Sequence, residues 1–217
     1  MLIKYHVMKL LGSKKIYETM EEIINPEHTM LVMWDVQNGL VNNVFNKNEF
    51  LSSAKRLLEA ARASGMKVLY TKITPLPKEY MSPAMISSYM MRFHVDDPEK
   101  LPVFMAPGSR EAEIYDELRP KENDYVLNKH TASIFIGTIF DNMLKAAKIE
   151  TIIFAGIATE IGVESSARDA GNLGYYTIVA SDACSSSSRD GHEAALKSLS
   201  SVVMVSTVDD IIKNLKY

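Results

Sequence analysis

The chain has 217 residues, 47% of them hydrophobic and 24% charged. That balance supports a sizeable core and excludes a wholly disordered chain. Lys and Arg number 24 against 27 Asp and Glu, a formal charge of −3, which argues against binding a nucleic-acid backbone. A single cysteine excludes an intrachain disulfide and a cysteine-rich zinc site, and leaves one thiol whose location matters.

The opening stretch, MLIKYHVMKLLGSKK, interrupts its apolar residues with Lys4, His6 and Lys9 and offers no small-residue cleavage site. We therefore expect no secretory signal, no membrane span and a cytoplasmic protein. Residues 1–28 read as an N-terminal arm with a helix over Ser13–Asn25, and residues 29–217 as one domain. Strands are predicted at Met30–Asp35, Lys67–Ile73, Asp124–Asn128, Thr151–Ile157, Tyr175–Ala180 and Val202–Val205. Most are continuous apolar runs, the pattern of strands covered on both faces. Helices are predicted between and after them, at Glu49–Ser64, Gly137–Lys148, Glu160–Asn172, Asp190–Ser200 and Val208–Lys216. This alternation predicts an α/β fold with a parallel sheet, helices on both faces and right-handed crossovers. Residues 74–110 break the rhythm with a proline-punctuated excursion containing Met81, Met85, Met90 and Met91. It reads either as a lid or interface or as a packed surface excursion.

Ligands of open parallel sheets bind beyond the carboxyl ends of the strands. The first strand ends in Asp35, followed by Gln37. The third runs into Lys129 and His130. The fourth ends Gly156-Ile157-Ala158-Thr159 and opens a helix, and the fifth ends Ser181-Asp182. Aspartate, lysine and helix N-terminus thus converge on one edge, as an acid–base pair or as a structural ion pair. Among weaker candidates, Arg92 in the excursion could meet a substrate carboxylate, while His130 reads as packing and Trp34 as core. No His-x-His pattern occurs, and we expect no metal and no cofactor.

The segments MWDVQNGL (33–40), NKHTASIFIGTIFDNML (128–144) and GIATEIGVESSARDA (156–170) resemble the isochorismatase-like hydrolase superfamily. PGSREAEIYDELRPKENDYVLNK (107–129) and VASDACSSSSRDGHEAAL (179–196) extend the resemblance in order and spacing. It implies a three-layer Rossmann-like fold with six parallel strands in order 3-2-1-4-5-6, usually assembled as homodimers or homotetramers. It assigns Asp35 and Lys129 to two members of an Asp–Lys–Cys triad. The cysteine's place in GIATEIG is held by Gly162, so a covalent thiol route is closed.

Isochorismatases proper resemble this chain in carrying glycine there. Their reaction is a vinyl-ether hydrolysis, with Asp35 implied as general acid, Lys129 as its partner and Gly162 as room and a backbone N–H. The resemblance also implies a cis peptide before Ala158. From their positions, Gln37, Arg92 and Thr159 are expected as substrate contacts. Cys184 reads as a buried bystander. The lead-in PEHTMLV and the ESSARDA motif look closer to the amidohydrolase branch, so a thiol-free amide or ureide hydrolase and a catalytically silent member, ligand-binding or an oligomeric interaction module, remain the alternatives. The partner expected in each case is a small molecule.

Overall fold

The structure is a computed structural model describing residues 9–216. Its centre is a six-stranded parallel sheet. In chain order the described elements begin with a small antiparallel hairpin, β1 (Lys9–Leu11) and β2 (Lys14–Ile16), and a short helix α1 (Met20–Ile23). Then come β3 (Thr29–Trp34), α2 (Asn38–Val41), α3 (Lys47–Ala63) and β4 (Lys67–Ile73). The excursion contains α4 (Pro83–Phe93) and leads to β5 (Tyr125–Lys129) and α5 (Phe140–Ala146). The chain closes with β6 (Thr151–Ile157), α6 (Glu164–Asn172), β7 (Tyr176–Ser185), α7 (Arg189–Leu199), β8 (Met204–Ser206) and α8 (Val208–Asn214).

The sheet order is β5-β4-β3-β6-β7-β8, the order the resemblance implies. Its two central strands are the most apolar: all of β3 and all of β6 are buried. One face is covered by α3, whose Phe50, Leu51, Ala54, Leu57, Leu58 and Ala61 recur at helical spacing and pack with Leu31, Met33 and Ile153. The opposite face gathers Val32, Trp34, Phe140, Leu144, Phe154 and Ala167. Among the described residues no helix is long and apolar enough to cross a membrane.

The N-terminal arm differs from expectation. Over Ser13–Asn25 only Met20–Ile23 is α-helical, opened by a Thr19–Glu22 capping box. The Lys-rich segment before it folds as the exposed hairpin. From Tyr17 onward the arm packs on its own domain. The Tyr17 hydroxyl donates to Glu150 Oε2 at 2.6 Å, its ring stacks on His28 at 4.8 Å, and Ile23 and Ile24 join the core.

Two further boundaries move. β7 runs on to Ser185, past the apolar run that ends at Ala180, because Ala183, Cys184 and Ser185 are buried against β6. The helix expected from Glu160 begins instead with a π-helical turn, Thr159–Val163.

Candidate active site

β3 sits at the middle of the sheet, between β4 and β6, so its carboxyl end opens where the strand order reverses. Asp35 leaves that end with φ of 45°, a left-handed conformation that aspartate tolerates at a cost of about 1 kcal/mol. Thr71 of β4 holds it there: its Oγ1 accepts the Asp35 N–H at 2.9 Å and donates to Oδ1 at 2.5 Å. Lys129, the last residue of β5, donates from Nζ to Asp35 Oδ2 at 2.6 Å and to Thr131 O at 3.3 Å. The pair is deeply buried, with Asp35 5% and Lys129 1% exposed.

Burial pushes the Asp35 carboxyl above its ordinary range, opposed by the charge and hydrogen bond of Lys129 and by Thr71. Burial likewise pulls Lys129 below its ordinary range, opposed by Asp35. The two shifts run toward each other. Shifts in that direction narrow the gap a proton crosses in passing between the two groups.

Trp34 completes the floor. Its ring lies 4.2 Å under Lys129 Nζ, a cation–π contact. Two glycines of the segment GIATEIG make room for it. Trp34 pairs in register with Gly156, where an added Cβ would come within 2.7 Å of the Trp34 backbone nitrogen. At Gly162 a Cβ would fall within 2.6 Å of Trp34 Cε2 and nearer still to Nε1. The space where the thiol of an Asp–Lys–Cys triad would start is therefore filled by the indole. Nε1 makes no hydrogen bond among the described residues, and Trp34 lines the same cavity as Asp35 and Lys129.

That cavity has a volume of about 150 Å3. Besides the pair and Trp34, its wall includes Tyr89 and Arg92 of α4, Phe104, Ala158 and Gly162. Arg92 reaches it as expected, exposed and without an ion pair or hydrogen bond among the described residues. Gln37 and Thr159 do not. The Gln37 amide is buried in the framework, accepting from Ile73 N at 2.8 Å and donating to Ile73 O and Ala112 O. Thr159 Oγ1 donates to Ser185 O at 3.1 Å and stands 2.8 Å from His192 Nδ1. The expected Gly162 N–H is engaged too, donating to Ala158 O at 3.1 Å within the π turn. The Ile157–Ala158 peptide bond is cis. Among the described residues no group of three or more His, Cys, Asp or Glu side chains is placed to hold a metal ion.

Comparison with known proteins agrees with this architecture. The Isochorismatase domain model matches residues 29–210. The chain belongs to the isochorismatase family. It is 30% identical over 191 residues to the ureidoacrylate amidohydrolase RutB of Acinetobacter baylyi, covering 80% of this chain and 78% of that protein. In fold it resembles a cysteine hydrolase from Pseudomonas syringae pv. phaseolicola, with a TM-score of 0.76, 21% identity and 98% of each chain covered. It also resembles an N-carbamoylsarcosine amidase from Thermoplasma acidophilum, with a TM-score of 0.65, 26% identity, and 83% of this chain and 96% of that one covered.

Within this isochorismatase-family chain, the motif residues outside the cavity act as joints. Ser133 donates to Asp169 Oδ2 at 2.5 Å, and Ser166 Oγ accepts from Ile134 N and donates to Gly162 O. These bonds lock the loop after β5 to α6, which fixes Lys129 relative to Gly162. Asp182 ties β7 to Ser53 of α3 and to the N-terminus of α8, away from the cavity. His130, by contrast, lines the cavity, and it packs against Thr74 with its Nδ1 2.5 Å from Thr74 O. Cys184 is fully buried, its thiol donating to Phe154 O at 3.7 Å and pushed up to about 12 by burial.

Thr71, Tyr89 and Phe104 were not among the expected site residues. Thr71 leaves one trace in the sequence, a hydroxyl inside the buried run KVLYTKI. Tyr89 and Phe104 leave none, because the path of the excursion decides which of its aromatics face the cavity.

Proposed function

We propose that this chain is a hydrolase in which water, rather than a protein side chain, attacks the substrate, and in which Asp35 and Lys129 manage the protons. The observation that carries this reading is the Trp34 indole lying in the space a nucleophile at residue 162 would need. The bond we assign is the vinyl ether of a small anionic metabolite of the isochorismate type.

In the resting pair one proton is shared between a carboxylate–ammonium and an acid–amine form. Asp35 delivers a proton to the terminal methylene carbon of the enol ether. The ether carbon becomes an oxocarbenium ion, and the pair is left with one negative charge that stabilises it. Water adds to that carbon and returns a proton to the pair. The resulting hemiketal then breaks its carbon–oxygen bond, releasing an alcohol and pyruvate. Trp34 Nε1–H is a donor for the water or the ether oxygen, and the Arg92 guanidinium is placed to receive the substrate carboxylate.

A second reading is favoured by the relatives, since the Acinetobacter protein is a ureidoacrylate amidohydrolase. In it the Asp35 carboxylate activates water against a ureide or amide carbonyl, and Lys129 returns the proton to the leaving nitrogen. One assay separates the two. Purified protein is incubated with isochorismate, ureidoacrylate and N-carbamoylsarcosine, with the Asp35→Asn variant as control. Pyruvate released from isochorismate above that control supports the vinyl-ether assignment. Ammonia released from a ureido compound, with no pyruvate, replaces it by the second reading. No product from any of the three overturns both bond assignments.

A further inference from the structure

The reaction cavity, at about 150 Å3, is smaller than the roughly 300–1,000 Å3 of ordinary small-molecule sites. It can take the reacting end of a substrate but little more. A second cavity of about 250 Å3 adjoins it and shares two walls, Tyr89 and Phe104. The character of this neighbour is different. Its lining includes Pro75, Phe93, Leu101 and Pro102 in addition to the shared aromatics.

The two cavities are organised by one helix. Tyr89 lies on α4 one turn before the adjacent pair Arg92 and Phe93. Tyr89 faces both cavities, Arg92 faces the reaction cavity and Phe93 faces the apolar one. Phe104 ties the arrangement together, with ring centroids 5.5 Å from Tyr89 and 5.1 Å from Phe93. A free guanidinium thus stands at the junction between a proton-transfer site and a half-buried aromatic cluster.

We propose that the apolar cavity is the second half of the substrate site, and that the substrate is amphipathic: an anionic, hydrolysable end at Asp35, Lys129 and Arg92, joined to an alkyl or aryl body seated between Tyr89, Phe93 and Phe104. This rests on the reading of the Asp35–Lys129 cavity as the reaction site. It goes further in giving the substrate a hydrophobic body of several carbons, which a compact ureido acid lacks.

Trp34 is the only tryptophan of the chain and lines the reaction cavity, so its fluorescence reports what enters. The test titrates the full chain with acetate, butyrate, hexanoate and octanoate, following tryptophan emission and calorimetric heat. Each methylene moved from water into an apolar cavity tightens binding about fourfold, so affinity rises about tenfold or more per two-carbon step until the cavity is full. Ala106 lines only the apolar cavity. In Ala106→Phe, which fills it, octanoate binds no tighter than butyrate.

Binding that is independent of chain length in the unsubstituted protein overturns the subsite and leaves the reaction-site reading standing. Failure of every carboxylate to bind removes the anion anchor assigned to Arg92, and the amphipathic substrate falls with it. Chain-length independence combined with a lower sedimenting mass for Ala106→Phe gives the cavity to a second copy of the chain and overturns the proposal.

Discussion

Residues 162 and 184 each hold half of what a thiol nucleophile requires. Gly162 has the place: it lies on the first turn after β6, in the wall of the cavity that contains Asp35 and Lys129. Cys184 has the sulfur, but β7 pairs it with Gly156 inside the sheet, and burial pushes its thiol up to about 12. The difference teaches that reactivity in this fold belongs to a location. The one thiol is buried inside the sheet, and the location beside Asp35 and Lys129 is occupied by an indole.

The largest effects should fall on the acid–base pair. Asp35→Asn should lower turnover by roughly 10²–10⁴-fold, the usual worth of a placed general acid. Cys184→Ala should leave turnover within about twofold and lower stability by roughly 1 kcal/mol, as read by thermal unfolding beside the rate assay. Equal losses in the two variants would break the contrast.

The next test tries to move the thiol. Gly162→Cys alone drives its Cβ into the Trp34 ring, and such overpacking should destabilise the fold by roughly 1–3 kcal/mol. Trp34→Ala combined with Gly162→Cys removes the obstacle. The double variant should take up one carbamidomethyl group from iodoacetamide under native conditions, located at residue 162 by peptide mass. Labelling of the single variant as fast as the double would show that the indole does not block the position.

The pH profile sharpens the account of the pair. On the proposed mechanism its productive form carries one shared proton. Raising the pH removes that proton. Lowering the pH adds a second, and the resulting positive charge opposes the oxocarbenium ion. Burial raises Asp35 and lowers Lys129, so both limbs of kcat/KM against pH should lie closer to neutrality than for the free groups. Thr71 lowers Asp35 through its hydrogen bond. Thr71→Val should therefore shift the acid limb upward, with a smaller loss of rate than Asp35→Asn. The smallest effect concerns Cys184 itself. With its thiol near 12, on the order of one molecule in 10⁴ is thiolate at pH 8. Native protein should resist iodoacetamide and label fully only in denaturant.

The sheet was legible because its two central strands are long buried apolar runs, and the alternation of strand and helix patterns leaves few topologies. Asp35 and Lys129 were legible because strand ends are where such sheets place ligands. What escaped the sequence was decided by contacts between distant segments. Gln37 looked like a substrate contact because it lies two residues past Asp35, yet its amide finds backbone partners at Ile73 and Ala112. Thr159 opens the helix after β6 but meets Ser185 and His192. The absence of a cysteine at residue 162 was plain in the sequence, whereas what fills the space became visible only once β3 and β6 were laid side by side. The arm's hairpin was missed because its exposed lysines follow no buried face.

The engagement of Gln37 bears on how this protein can change. One side-chain amide joins Ile73, where the excursion leaves the sheet, to Ala112, where it returns. Asn38 adds a bond to Arg110 O at 2.9 Å, and Gln37 bridges Ile114. The segment between is a closed loop clasped at its neck. Doubling the length of such a loop costs only about 0.6 kcal/mol, and beyond Thr74, whose N–H donates to Lys129 O at 3.0 Å, no residue of its interior hydrogen-bonds Asp35 or Lys129 among the described residues. Selection can therefore lengthen, shorten or rewrite α4 and its surroundings, exchanging one ligand preference for another, while the proton-handling pair below keeps its geometry. Gln37 marks the seam between the loop that carries α4 and the strand end that carries Asp35.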